Sequence, residues 1–469
     1  MARAEPVDSA ALARLIGGWR AEDVPLPHAL AGALDELIAG NVLVEGAALP
    51  PQRALATALG VSRATVAEAY AELAARGRLT SRQGSGSRVR RGRGASTSAS
   101  AGADHVVEGR LASFGRARRL VELDLSSGAL PALSLVRDAV SAVDLRELDV
   151  YLADDGYYAA GLPRLRAVVA EQYGARGLPT DPDQILVTSG SQQAVWLCAS
   201  SLVAPGDEVL VEEPGYRGAI EAFRTAGARL TGVPVREDGL DLDHLDRVAH
   251  RAALLYCQPA AHNPTGISLP AAGRERLSEI VGRHGVLTIE DRSCADLVLD
   301  DRGVRPPLPG PANPGLVIRI GTASKLLWGG LRVGWIRAER PLITRLTQAK
   351  AALDLAAPVI DQMVTAELLG QADRARRERT RRLRAHLADA AAVLAELRPA
   401  WRWTPPHGGT ALWVDTGTDA VALAGRAREK GVLVTAGPAF SPANAQRSRL
   451  RLPFWRPVDQ FAQAVELLR

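Results

Sequence analysis

Residues 88–103 read RVRRGRGASTSASAGA, sixteen positions of Arg, Gly, Ser, Thr and Ala with a single valine. A stretch with no apolar periodicity buries too little to offset the entropy of ordering it, so it reads as a flexible linker. It divides the 469-residue chain into a small N-terminal unit and a C-terminal unit several times larger. The expected boundaries are 1–90 for the first unit, 91–118 for the linker and 119–469 for the second. With 47% hydrophobic and 23% charged residues, the chain has the composition of packed domains rather than of a disordered protein.

Several classes fall away quickly. No apolar run reaches the roughly 20 residues a bilayer crossing requires, and the N-terminus, with Arg3, Glu5 and Asp8, lacks a signal-peptide core. A cytoplasmic chain with no membrane partner is therefore expected. Cys198, Cys257 and Cys294 are too few and too scattered for disulfides or a zinc knuckle, and their apolar surroundings suit buried free thiols. No metal site is expected. The net charge of +5 does not by itself announce a nucleic-acid partner. Its distribution says more: no acid occurs between Glu72 and Asp104, while Arg76, Arg78, Arg82, Arg88, Arg90, Arg91 and Arg93 all do. Such a block suits phosphate contacts or a solvated linker.

In the N-terminal unit, Leu30, Leu34, Leu37 and Ile38 mark one helix face. Leu55 and Leu59 mark a short helix, Gly60-Val61 a tight turn, and Ser62 a natural N-cap. On the helix that follows, Val66, Tyr70 and Leu73 face inward, which leaves Arg63 and Thr65 exposed on its first turn. In a helix-turn-helix those first-turn positions reach base edges in the major groove. Residues Leu79 to Val89 then read as a two-stranded wing around Gly84-Ser85-Gly86. The apolar pattern alone would also suit a three-helix bundle without DNA. The strings LPPQR, GVSRATV, AY and the glycine wing together closely resemble the winged helix-turn-helix of GntR-type transcription regulators. That resemblance implies DNA contacts from Arg53, Ser62, Arg63, Thr65, Gln83 and Gly84.

In the C-terminal unit, short apolar runs alternate with helical patterns. Strands are expected at ILVT, EVLVEE, ALLYCQP, VLTIED and LVIRIG, and helices near 193–202, 218–225 and 274–283. This alternation predicts an α/β fold, a mostly parallel sheet with helices on both faces and ligands at the carboxyl ends of its strands. The Arg-rich stretch 340–397 is helical, and a smaller α+β subdomain follows.

Lysine is scarce, with only Lys325, Lys350 and Lys430 present. Lys350 and Lys430 suit a surface or a helix cap, whereas Lys325 sits in IGTASKLLWGGLRVGW, between a strand and a glycine-rich turn. A lysine amine, ordinarily near ~10.4, must be desolvated or set beside positive charge to act as a nucleophile. Aldehyde cofactors are held on such a lysine as a Schiff base. A pyridoxal phosphate site also needs an acid for the pyridine nitrogen, a phosphate cradle and a stacking ring. Candidates follow successive strands. Asp291 ends VLTIED, and Gly190-Ser191-Gln192 opens a helix after ILVTS, where backbone N–H groups hold phosphate. Tyr216 offers a stacking face, Asn263 a partner for the phenolic oxygen, and Arg332 a charge for the phosphate. Each residue alone has a bland reading as a cap, a turn or a core side chain.

Together they resemble fold-type I aminotransferases over the C-terminal unit. The resemblance implies that Lys325 carries the cofactor, Asp291 pairs with the ring nitrogen, Asn263 bonds the phenolic oxygen and Tyr216 stacks. It further implies Gly190, Ser191, Gln192, Thr322, Ser324 and Arg332 around the phosphate, and Arg451 on the carboxylate of an effector. One departure is plain: Ser293 stands where this group usually has a tyrosine reaching the phenolic oxygen.

A GntR-type winged helix followed by an aminotransferase-like domain resembles the MocR/GabR regulators. The resemblance implies a homodimer on double-stranded operator DNA that senses an amino acid, an amine or pyridoxal 5'-phosphate itself. A working aminotransferase with a regulatory DNA-binding unit is the alternative, and a cofactor-free dimerisation scaffold is a third.

Overall fold

The computed structural model describes residues 8–16, 19, 25–39, 43, 47–75, 78–82, 86–89, 123–310 and 313–469. The chain divides into two compact units, Met1–Ser100 and Ala101–Arg469. Among the described residues no helix is long and apolar enough to cross a membrane.

The first unit contains α1 (Ser9–Ile16), α2 (Leu26–Ala39), α3 (Gln52–Leu59), α4 (Arg63–Ala75), β1 (Leu79–Arg82) and β2 (Gly86–Val89). Its core, among the described residues, is built of apolar side chains and Tyr70, with Leu12, Leu30, Leu34, Leu55, Val66 and Leu73 fully buried. Helix α3 stops at Gly60, whose φ of 64° costs a glycine little and lets its N–H return to Ala56 and Thr57. Ser62 then caps α4, its Oγ accepting from the Thr65 backbone N–H at 3.1 Å. The Tyr70 hydroxyl donates to the Pro50 carbonyl at 2.9 Å, tying α4 to the segment before α3. Strands β1 and β2 pair antiparallel from Leu79↔Val89 to Arg82↔Gly86, the expected wing. Arg78 is not spare charge: it pairs with Asp35 of α2 at 2.8 Å.

The second unit is built on an eight-stranded sheet. After a short β3 (Leu123–Asp124), its strands are β4 (Ile185–Thr188), β5 (Glu208–Glu213), β6 (Arg229–Arg236), β7 (Gly239–Leu240), β8 (Leu254–Cys257), β9 (Leu287–Asp291), β10 (Val317–Thr322) and β11 (Gly334–Arg337). Their order is β4-β11-β10-β9-β8-β5-β6-β7. β11 runs against both of its neighbours and β7 against β6, while the other pairings are parallel. Both faces are covered, which is why ILVT, LLYC and VIRIGT are buried at every position. Alternation sorts side chains between faces. Val209, Val211, Leu254, Tyr256 and Ile289 pack with the helices Ser191–Leu202, Arg217–Thr225 and Arg340–Asp354. Leu210, Leu255 and Cys257 pack with Leu242–Val248 and Ala271–His284.

The smaller subdomain has β12 (Ala411–Asp415), β13 (Val432–Leu433), β14 (Thr435–Ala436) and β15 (Arg449–Pro453). β12, β15 and β14 form an antiparallel sheet, and β13 pairs with β3. The long helix Ala372–Leu397 and the last helix, Val458–Leu467, pack against it.

The three cysteines are buried free thiols. Lys350 departs from expectation: it is fully buried, not on a surface, and its Nζ donates to Asp354 at 2.8 Å. A buried ammonium needs such a carboxylate.

Candidate functional site

Strands β4, β5, β8, β9 and β10 all point the same way, so their carboxyl ends share one edge of the sheet. The residue or turn singled out after each of those strands lies at that edge.

Lys325 follows β10. Its Nζ donates to the Gly128 carbonyl at 3.4 Å. Burial pushes the amine below its ordinary pKa; Arg451 and Arg217 push the same way, while Cys294 and Asp291 oppose. Desolvation of this kind disfavours the charged form of the amine. Lys325, Asn263, Gly128, Cys294, Thr410 and Arg451 line one cleft.

Asp291 ends β9 and is buried. Its Oδ1 accepts from the Ser293 N–H at 2.8 Å, and its Oδ2 accepts from the Tyr256 hydroxyl and from Gln258 Nε2 at 3.0 Å. Asn263, in the turn after β8, has its N–H on Gln258 Oε1 at 3.1 Å and its Oδ1 near Arg451 Nη1 at 3.4 Å. Gln258 therefore joins the acid to the asparagine.

On the other side of the edge, Gly190 caps the helix Ser191–Leu202 with φ 83°. A Cβ there would come within 2.5 Å of Arg332 Nη2, so only glycine lets the guanidinium lie across the helix start. Arg332 donates to the Ser189 carbonyl at 2.7 Å. Ser191 is the first residue of that helix. Thr322 Oγ1 donates to Val333 O at 3.0 Å and accepts from the Ser324 N–H at 3.1 Å. The Tyr216 hydroxyl donates to Gln192 Oε1 at 2.7 Å, and Gln192 Nε2 returns to Gly218 O at 3.0 Å.

Arg451 stands on β15, opposite Trp413 on β12 and Thr435 on β14. Its Nη2 donates to Ser126 O at 2.5 Å, and its guanidinium lies 5.3 Å from the centre of the Phe440 ring. Burial and the nearby Arg217 hold this guanidinium below its ordinary pKa, which favours an anion beside it.

A phosphorylated aldehyde fits these residues on an independent observation. Among the described residues the Ser324 and Ser293 hydroxyls are enclosed without a hydrogen-bond partner, the first next to Lys325 just past β10 and the second two residues past Asp291. Buried hydroxyls of this kind require an acceptor. Ser293 contributes its backbone to Asp291 and its side chain to nothing in the chain.

On the first unit, Arg53 and Arg63 are exposed, as DNA readers must be, and so is Ser62. Thr65 differs from expectation: it is half-buried and its hydroxyl bonds Ser62 Oγ at 2.8 Å, because both side chains complete the same helix cap. Gln83 and Gly84 lie outside the described residues.

Sequence reasoning missed Gly128, Tyr256, Gln258, Cys294 and Arg217 as neighbours of the site. Tyr256 and Gln258 carry a signal, since they are two apart on one strand face and meet Asp291 only through the β8–β9 register.

A family model described as aminotransferase class I and II matches residues 123–467. A second, described as bacterial regulatory proteins, gntR family, matches 27–89. The HTH-type transcriptional regulator TauR of Rhodobacter capsulatus is 28% identical across 92% of this chain and 92% of its own. The probable rhizopine catabolism regulatory protein MocR of Rhizobium meliloti is 34% identical across 68% of this chain and 66% of its own. Among solved structures, LysN, an α-aminoadipate aminotransferase from Thermus thermophilus complexed with N-(5'-phosphopyridoxyl)-L-leucine, superposes with a TM-score of 0.65. It is 30% identical over 75% of this chain and 91% of that one.

Proposed function

Because the chain belongs to the MocR-type regulators, in which a GntR helix-turn-helix precedes a class I and II aminotransferase domain, we propose that it is a DNA-binding sensor of amino acids or amines. Its cofactor is pyridoxal 5'-phosphate, as the family and the phosphopyridoxyl ligand of LysN imply. The observation that carries the reading is the half-buried Lys325 amine, held below its ordinary pKa, at the same sheet edge as Asp291 and the Gly190–Arg332 pair.

When bound, the cofactor supplies an electrophilic aldehyde carbon and an electron-withdrawing ring. The chain does the rest. Lys325 offers its amine to the aldehyde carbon and Asp291 a carboxylate for the ring nitrogen. Asn263 takes the phenolic oxygen and Tyr216 covers a ring face. Gly190, Ser191, Gln192, Thr322, Ser324 and Arg332 hold the phosphate, while Arg451 holds the carboxylate of an incoming amino acid. Such a ligand changes DNA binding only through different affinities for two conformations of the protein. Arg53, Ser62, Arg63 and Thr65, with Gln83 and Gly84 of the wing, read the operator.

A second copy completes the assembly. Leu145, Val150, Leu152 and Tyr157 are 63–69% exposed, and Leu353, Leu355 and Ile360 are 53–55% exposed. So many exposed apolar side chains suit a homodimer that presents two helix-turn-helix units to two half-sites.

Catalytic transamination is the second reading, favoured by the presence of Lys325, Asp291 and Arg451 together. Incubating the cofactor-loaded protein with amino acids and a 2-oxo acid separates the two. The sensor reading expects at most stoichiometric conversion, and sustained product formation would favour the enzyme.

A further inference from the structure

Asp291 is unusually heavily bonded for a residue whose task is to face a ring nitrogen. A carboxylate offers about four lone-pair positions. The Ser293 N–H occupies one on Oδ1, and Tyr256 and Gln258 occupy both on Oδ2. One position remains. The parallel register sets this up: Tyr256 lies opposite Ile289 on β9, so Gln258 and Asp291 follow on the same face two residues later. Tyr256 is only 1% exposed and packs edge-on to Phe223 at 6.0 Å, so water does not compete for its hydroxyl.

We propose, resting on the cofactor reading above, that Tyr256 and Gln258 are positioning residues that act through Asp291 to weaken its hold on the proton of the cofactor's ring nitrogen. Donors to an ionised carboxylate stabilise its charge in place and make it a poorer base. A ring nitrogen that holds its proton less firmly draws less electron density from bonds at the far side of the ring. Exchange of one amine for another at the aldehyde carbon needs little of that withdrawal, whereas breaking a Cα–H bond needs much. The arrangement therefore tunes the site toward recognition, the same direction as the serine at position 293.

The test is the pH midpoint of the visible absorbance of the lysine-bound cofactor, a property that is read without turnover. More positive charge on the ring nitrogen lowers that midpoint. Tyr256→Phe keeps the ring and its contact with Phe223 and removes only the donor. The groups facing Lys325 are Cys294, Asp291, Arg451 and Arg217, and those facing Tyr256 are Asp291, Tyr216 and Glu212. All of them stay in place in this variant. The midpoint is expected to fall by at least ~0.3 pH unit, a two-fold change in proton affinity. Gln258→Leu should move it the same way, and Asp291→Asn should move it the opposite way. An unmoved midpoint in both Tyr256→Phe and Gln258→Leu, or a rise like that of Asp291→Asn, overturns the proposal while leaving the cofactor reading intact. No visible band in the unsubstituted protein removes the cofactor reading and the proposal together.

Discussion

The two units handle charge in opposite ways. Among the described residues the helix-turn-helix core is apolar apart from the Tyr70 hydroxyl, and the unit keeps Arg53 and Arg63 in solvent, with Ser62 holding the helix start. The sheet edge instead buries Asp291 and Arg451, joins them through Gln258 and Asn263, and sets the half-buried Lys325 in the same cleft. A polyanion such as DNA is attracted from a distance and needs exposed charge that sheds counterions on contact. An amine chemistry needs the reverse, because removal from water disfavours the charged form of the amine. On the proposed function, one chain thus carries a reader built on solvation and a sensor built on desolvation.

The sharpest way to break this contrast is at Lys325. In Lys325→Ala, the cofactor fixed to protein by borohydride should vanish completely, as followed by peptide mass mapping. Fixation persisting at the exposed Lys430 would show that removal from solvent is not what selects the amine. The pH dependence follows from sign. The folded amine titrates below 10.5, so it is neutral in a range where exposed lysine is still charged. Cofactor capture by the apo protein should therefore level off at a lower pH than capture by a lysine peptide.

Next in size is Arg451→Met. Losing a charge-assisted, buried pair should weaken binding of an amino acid by about 10- to 100-fold, or roughly 1.5–3 kcal/mol. An amine without a carboxylate should bind unchanged, and absorbance titration of both reads the difference. On the solvated side, Arg63→Ala should cost on the order of 1–3 kcal/mol at one base position and relax discrimination there. Equal weakening on all sequences would make Arg63 a phosphate contact. The smallest effect belongs to Ser62→Ala, which removes the α4 cap and should lower stability of the first unit by about 1 kcal/mol in thermal unfolding.

Much of this was legible in sequence because each motif follows directly on a strand. Asp291, Asn263 and Lys325 close β9, follow β8 and follow β10, and position relative to a strand end is a local property. The Gly60 turn, the Ser62 cap and the paired wing strands were readable for the same reason. What escaped was non-local. Tyr256 is one more apolar-flanked residue of LLYC until the β8–β9 register brings its hydroxyl to Asp291. Lys350 reads as a surface residue until helix packing closes over it and Asp354 answers its charge. Arg78 reads as part of a basic block until Asp35 takes it. The antiparallel β11 also escaped, because its short run VGWIR gives no sign of direction.

The central claim is that occupancy at Lys325 governs DNA binding, and one paired titration addresses it. The cofactor-loaded protein on operator DNA is titrated with amino acids and amines, following visible absorbance and DNA affinity in the same samples. A ligand that shifts the absorbance should change operator affinity over the same concentration range, and Lys325→Ala should lose both responses. Absorbance that shifts to completion while operator affinity stays constant would contradict the account.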